Sequence, residues 1–148
     1  MLGKIVSSYY SWQASRRSQE QLLEALSTSG QVVAEKFVRA GDTANNREVA
    51  RHIIGIERWS RRRLQTALGD VAVMDEYDGY RPDEAESMAT LAELFVEARA
   101  QTIALAHQAA NLPDTVRVAH NDLGQMDVGA WLFYIENHAA RECLRLRG

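Results

Sequence analysis

The chain has 148 residues, of which 46% are hydrophobic and 25% charged, and its 17 basic against 20 acidic side chains give a net charge of -3. That length predicts one domain spanning residues 1–148, able to bury roughly two thirds of its unfolded surface without a disulfide or structural metal. The mildly acidic balance argues against a nucleic-acid partner, and the absence of a long uncharged apolar run or a signal-type apolar segment predicts a cytoplasmic protein that does not enter a membrane.

No stretch alternates apolar and polar residues long enough to predict a strand, and the two prolines, Pro82 and Pro113, sit beside breaks in a helical pattern. The first helix is predicted over about Trp12–Ala40, with Leu22, Leu26, Val33 and Phe37 on one face and Gly41 as its stop. Gly30 is a point where it can be interrupted. Upstream, Tyr9, Tyr10 and Trp12 form an aromatic group that reads as packing on the protein body, the other reading being contact with a second subunit.

A second helix, capped by Asn45 or Asn46, runs through "REVARHIIGIERWSRRRLQTAL" to Gly69. Val49, His52 or Ile53, Ile56 and Leu64 face inward, while Arg58, Arg61, Arg62 and Arg63 read as a solvated band rather than an anion-binding surface. The segment "GDVAVMDEYDGYR" is too polar and irregular to continue it. Pro82, Asp83 and Glu84 then mark the start of a third helix over roughly Asp83–Asn111, with Met88, Leu91, Phe95, Ala98, Thr102 and Leu105 inward and His107 at the surface.

After a loop of about a dozen residues, Asp127 is a good cap for a fourth helix, and Met126 with Trp131 has the spacing of a hydrophobic staple. The economical arrangement of these segments is an all-α four-helix bundle.

The fourth helix carries an anomaly. Its seam runs Val128, Trp131, Ile135, His138, Glu142, in steps of three and four residues, so an imidazole and a carboxylate occupy inward positions. Buried polar groups of this kind cost several kcal/mol unless each finds a partner. His52 lies in similarly apolar company on the second helix. If the two helices are neighbours, His52, His138 and Glu142 can place two imidazoles and a carboxylate around one divalent metal. A metal-free cluster, with Glu142 countered by Arg51, Arg58, Arg141 or Arg145, would satisfy the same groups.

His120, in "AHNDLG", reads as a residue that structures its loop, with an acid–base or substrate-binding role as the alternative. Cys143, the single cysteine, has no CxxC partner and points about 100° around the helix from Glu142, so it reads as a small buried thiol.

Several of these segments resemble the DinB/YfiT-like superfamily. "REVARHIIGIERW" is similar to its second-helix motif, "DEYDGYRP" to the loop before its third helix, and "AHNDLGQMDVGAWLFYIENHAARECLRL" to its last loop and helix, together covering about Gln19–Leu146. The resemblance implies a four-helix bundle with a metal site in which His52 and His138 match family ligands. Glu142 stands where the HxxxH motif of the last helix usually has its second His. The resemblance further implies a divalent metal such as Zn, Ni, Mn or Fe, and a small-molecule substrate. The reaction classes implied are thiol-dependent S-transfer or isomerisation with a low-molecular-weight bacterial thiol, or metal-dependent hydrolysis. A homodimer is also implied. The alternative is a non-catalytic, stress-related helical bundle whose metal site has degenerated.

Overall fold

The computed structural model describes residues 2–148. Seven regular elements follow in order: α1 (Leu2–Ser15), α2 (Gln19–Arg39), α3 (Ala44–Ala67), α4 (Met88–Ala109), β1 (Arg117–His120), β2 (Gly124–Asp127) and α5 (Val128–Glu142). Short 3-10 turns occupy Tyr77–Tyr80 and Cys143–Arg145. The fold is all-α, and its bundle is made by α2, α3, α4 and α5.

The four long helices form a ring in which α2 and α3 each pack against both α4 and α5. Two apolar regions fill it. One, around Leu26, Trp59, Trp131 and Ile135, extends under α1 and the hairpin. The other, around Phe37, Ile53, Ile54, Leu91 and Phe95, fills the opposite end.

The expected first helix is two helices. Ser18 accepts a hydrogen bond from the Gln21 backbone while the Gln21 side chain accepts from Ser18 N, a capping box that starts α2 afresh after Arg16 and Arg17. Gly30 does not interrupt α2. A Cβ there would stand 2.9 Å from Arg99 Cγ, so the missing side chain makes room for a buried arginine. Of the aromatic group, Tyr10 packs on Phe133 and Tyr134, whereas Tyr9 and Trp12 remain half exposed on the outer side of α1.

Thr43, not Asn45 or Asn46, caps α3, accepting from Asn46 N at 3.2 Å. Its end follows the expectation, since Gly69 adopts φ +118°, a left-handed conformation that terminates helices and favours glycine. The next helix starts later than expected: Asp83 is used in a turn, accepting from Ala85 N, and Ser87 caps α4. Its inward stripe includes Ala106 and Ala109 rather than Leu105.

The loop before α5 contains strands that the sequence pattern does not signal. β1 and β2 pair antiparallel, Arg117 with Asp127 and His120 with Gly124, and α1 lies against β2. Trp131 Nε1 donates to Val118 O at 3.1 Å, fastening the hairpin to α5. Asp127 caps α5 as expected, accepting from Ala130 N at 2.8 Å, and Met126 and Trp131 are both fully buried.

Candidate metal centre

Because α3 and α5 are neighbours in the ring, the inward residues of each meet across one seam. His52 from α3 faces His138 from α5, Nε2 to Nε2, at 3.2 Å. Glu142, one turn further along α5, completes a group in which one ligand atom from each of the three residues lies within 4.8 Å of the others. His138 is buried at 7% exposure, His52 is half-buried, and the Glu142 side chain is 19% exposed.

Electrostatics hold the imidazoles in the form that binds metal. Burial, reinforced by the neighbouring His52, pushes His138 down to about 3. Burial also lowers His52, with Glu142 opposing and Arg81 and Arg145 assisting. For Glu142, burial acts upward, but the Arg145 hydrogen bond and the two histidines outweigh it and hold the carboxyl below its usual range. At neutral pH the cluster is therefore two neutral imidazoles and one carboxylate.

The residues fit a divalent ion. With metal–nitrogen bonds of about 2.0–2.1 Å, two imidazole nitrogens on one tetrahedral centre stand about 3.3–3.4 Å apart, close to the separation already present here. A metal-free pair of neutral imidazoles supports one N–H···N hydrogen bond at the same distance, so the spacing alone suits both readings.

A cavity of about 180 Å³ reaches His52 and is lined by Glu48, Val49, Arg81 and Arg145 as well. Arg145 donates to Glu142 Oε2 at 2.8 Å, which identifies the countercharge among the four arginines available in the sequence. That bond leaves Glu142 Oε1 without a hydrogen bond to any described side chain. A larger cavity, about 310 Å³, lies by the start of α5 and the α1–α2 turn, and none of the three cluster residues lines it.

The segment between α3 and α4 closes the site from one side. Tyr77 and His52 meet in a T-shaped pair with centroids 5.2 Å apart, and the Arg81 guanidinium lies over the Tyr77 ring. Gly55, one turn after His52, permits this approach, for a Cβ there would meet Arg81 Cγ at 3.0 Å and Tyr77 O at 3.4 Å. Tyr77, Arg81 and Glu48 were not singled out by sequence reasoning. The available signal was the pairing of a helical glycine near His52 with the aromatic and basic residues of "DEYDGYRP".

His120 is near the cluster but engaged elsewhere. Its Nδ1 accepts from Asp122 N and Leu123 N at 3.1 and 3.2 Å, so it holds the hairpin turn, and its ring stacks on Trp131. Nδ1 as acceptor puts the proton on Nε2, which is buried without a hydrogen-bond partner among the described residues. Burial pushes this histidine down to about 4. His107 is exposed, as expected. Cys143 is buried, its thiol donates to Ala140 O, and burial pushes its pKa up.

The arginine band is only partly solvated. Arg63 is fully buried, donates to Asp75 Oδ1 at 2.6 Å and lies over Trp59, so it braces the α3–α4 segment and is not a surface charge. Arg58, Arg61 and Arg62 are half-buried. Asp75 is shared with the Tyr80 hydroxyl; burial raises its carboxyl, but the bonds from Tyr80 and Arg63 hold it below the usual range.

A family model described as the DinB superfamily matches residues 11–143, from the end of α1 to the residue after Glu142. The chain therefore belongs to the DinB superfamily. No curated protein and no solved structure matches it.

Proposed function

We propose that this DinB-superfamily chain is a metal-dependent enzyme whose single domain holds one divalent cation through His52 Nε2, His138 Nε2 and Glu142. The observation carrying this reading is the convergence of three ligand atoms within 4.8 Å, with both imidazoles held neutral. A cation held there would supply Lewis acidity, lowering the pKa of a low-molecular-weight thiol or a water so that it is a competent nucleophile near neutral pH.

The chain's own residues supply the setting. Glu142 brings the negative charge that partly offsets a dication, and Arg145 orients that carboxylate as an outer partner orients a ligand. Tyr77 fixes the plane of the His52 ring and narrows access from the α3–α4 segment. The cavity beside His52 brings a small molecule up to one of the three ligands. Two imidazoles and a carboxylate form a harder ligand set than three imidazoles, which widens the choice to Zn, Mn, Fe or Ni. His120, whose Nδ1 is taken by the hairpin turn, has no part in this proposal.

A second reading, a non-catalytic bundle with a degenerate site, draws on the Arg145–Glu142 pair, which gives the carboxylate a countercharge without a metal ion. Metal analysis separates the two. Purification in metal-replete medium should give near-stoichiometric divalent metal that His52→Ala and His138→Ala each lose. Wild-type protein that stays metal-free under those conditions sinks the enzyme reading.

A further inference from the structure

The cavity that reaches His52 is rimmed by charges in an unusual balance. Glu48 binds two cations at once, accepting from Arg51 NH1 on Oε2 at 2.9 Å and from Arg81 NH1 on Oε1 at 2.8 Å. Arg81 NH2 also stands 3.3 Å from Asp78, and Arg145 holds Glu142. Counted with their salt-bridge partners Arg51, Asp78 and Glu142, the lining charges Glu48, Arg81 and Arg145 sum to zero. A dication in the ligand set tips that sum to plus two in a partly enclosed space, where fields are poorly screened.

Donor capacity follows the same direction. Arg81 Nε is buried without a hydrogen-bond partner among the described residues. Arg145 commits one NH1 donor to Glu142; its Nε and NH2 make no bond to a described residue, and its side chain is 61% exposed. The Nε–NH2 edge left open on Arg145 is a guanidinium fork of the kind suited to planar carboxylates. The cavity, about 180 Å³, has room for a short acid.

We infer that the mouth formed by Arg81 and Arg145 selects a substrate carrying a carboxylate, held beside the ligand cluster while the substrate's other end reaches it. This rests on the metal-centre reading above and names its substrate class. Arg145 is the specificity residue at the solvent side, and Arg81 is the one anchored by Glu48 and by its position over Tyr77.

The test uses the full chain loaded with Co²⁺ and two probes of nearly equal shape, 3-mercaptopropionate and its neutral amide. Each is titrated at one pH with correction for its thiol pKa, and thiolate-to-cobalt absorption reports binding. Wild type should bind the acid about tenfold more tightly than the amide, the worth of one charge-assisted hydrogen bond. Arg145→Gln should bring that ratio close to one, each affinity being referred to the Co²⁺ content of the same sample, and Arg145→Lys should restore part of it. Arg81→Gln should also reduce the ratio. Because Arg81 braces a loop, the exposed Arg145 decides the matter.

Equal binding of acid and amide by wild type overturns the inference, as does a ratio unchanged in Arg145→Gln, or binding of neither probe. A chain that takes up no Co²⁺ instead overturns the metal-centre reading, and the inference falls with it.

Discussion

His52 and His138 face one another Nε2 to Nε2 at 3.2 Å, each on a different helix and 86 residues apart in sequence. Both rings are held neutral by burial, so two lone pairs and at most one shared proton occupy the gap. If a cation is the third party, the two histidines should not be interchangeable with Glu142. His52→Ala and His138→Ala should each abolish measurable stoichiometric metal, whereas Glu142→Gln, which keeps shape and removes charge, should weaken binding less. Glu142→His should retain or raise affinity. Elemental analysis and competition with a chromophoric chelator check the order, and a Glu142→His chain that cannot bind metal would contradict it.

Acid should destabilise the apo protein in a window set by its buried histidines. His120 titrates near 6.5 unfolded and is pushed down to about 4 in the fold by burial. Between those values the unfolded chain binds more protons, so stability rises with pH; the contribution is complete above about 6.5 and is lost as pH falls through about 4. At pH 5 the loss relative to pH 7.5 is about 2 kcal/mol from His120 alone. His138, shifted the same way, adds to it. Urea unfolding at the two pH values should show the drop, and His120→Gln should narrow it; a pH-independent midpoint in wild type would refute the assignment.

The sequence made the seam of α5 legible because a strong cap fixes its phase and every inward residue from Val128 to Ile135 is apolar, so His138 stood out against a clear register. The break at Arg16–Ser18 escaped because residues 15–21 are all polar and Ala14 and Leu22, eight apart, still fall on one helical face, although the Ser18–Gln21 capping box marks it. The hairpin escaped for another reason: four-residue strands give too few alternations to exceed chance, and this pair is secured by tertiary bonds such as Trp131 to Val118. Glu57, Arg63 and Arg99 escaped because a charged residue reads as solvent-facing until its partner is known. Glu57 and Arg99 are 42 residues apart.

That pair leads to a stability prediction. Arg99 on α4 donates Nε and NH2 to the two oxygens of Glu57 on α3, at 2.7 and 3.0 Å, and NH1 to Leu26 O, with both partners almost fully buried. Arg99→Met leaves a carboxylate sealed in the core and should cost about 3–5 kcal/mol. The double replacement Arg99→Met with Glu57→Met removes both charges and should recover much of that loss. A thermal or urea double-mutant cycle measures the coupling, and additive losses from the two single changes would show that the pair is not a unit.

Asn46 tests whether the site depends on the chain's last turn. Buried at 2% exposure, it donates Nδ2 to Gly41 O and Arg147 O at 2.8 and 2.7 Å and accepts from Arg147 N at 3.1 Å, tying the tail after α5 to the α2–α3 connection. Arg145 and Glu142 lie just upstream of that tie. Asn46→Ala should cost about 1–3 kcal/mol, because both freed carbonyls keep another donor while Arg147 N loses its acceptor. Asn46→Asp should be worse, since it sets a carboxylate against two carbonyl oxygens. Both changes should speed amide exchange over residues 143–148 and weaken metal binding without touching a ligand. Unaltered exchange there, in a variant that has lost stability, would mean that Asn46 supports the fold without holding the end of the helix that carries Glu142.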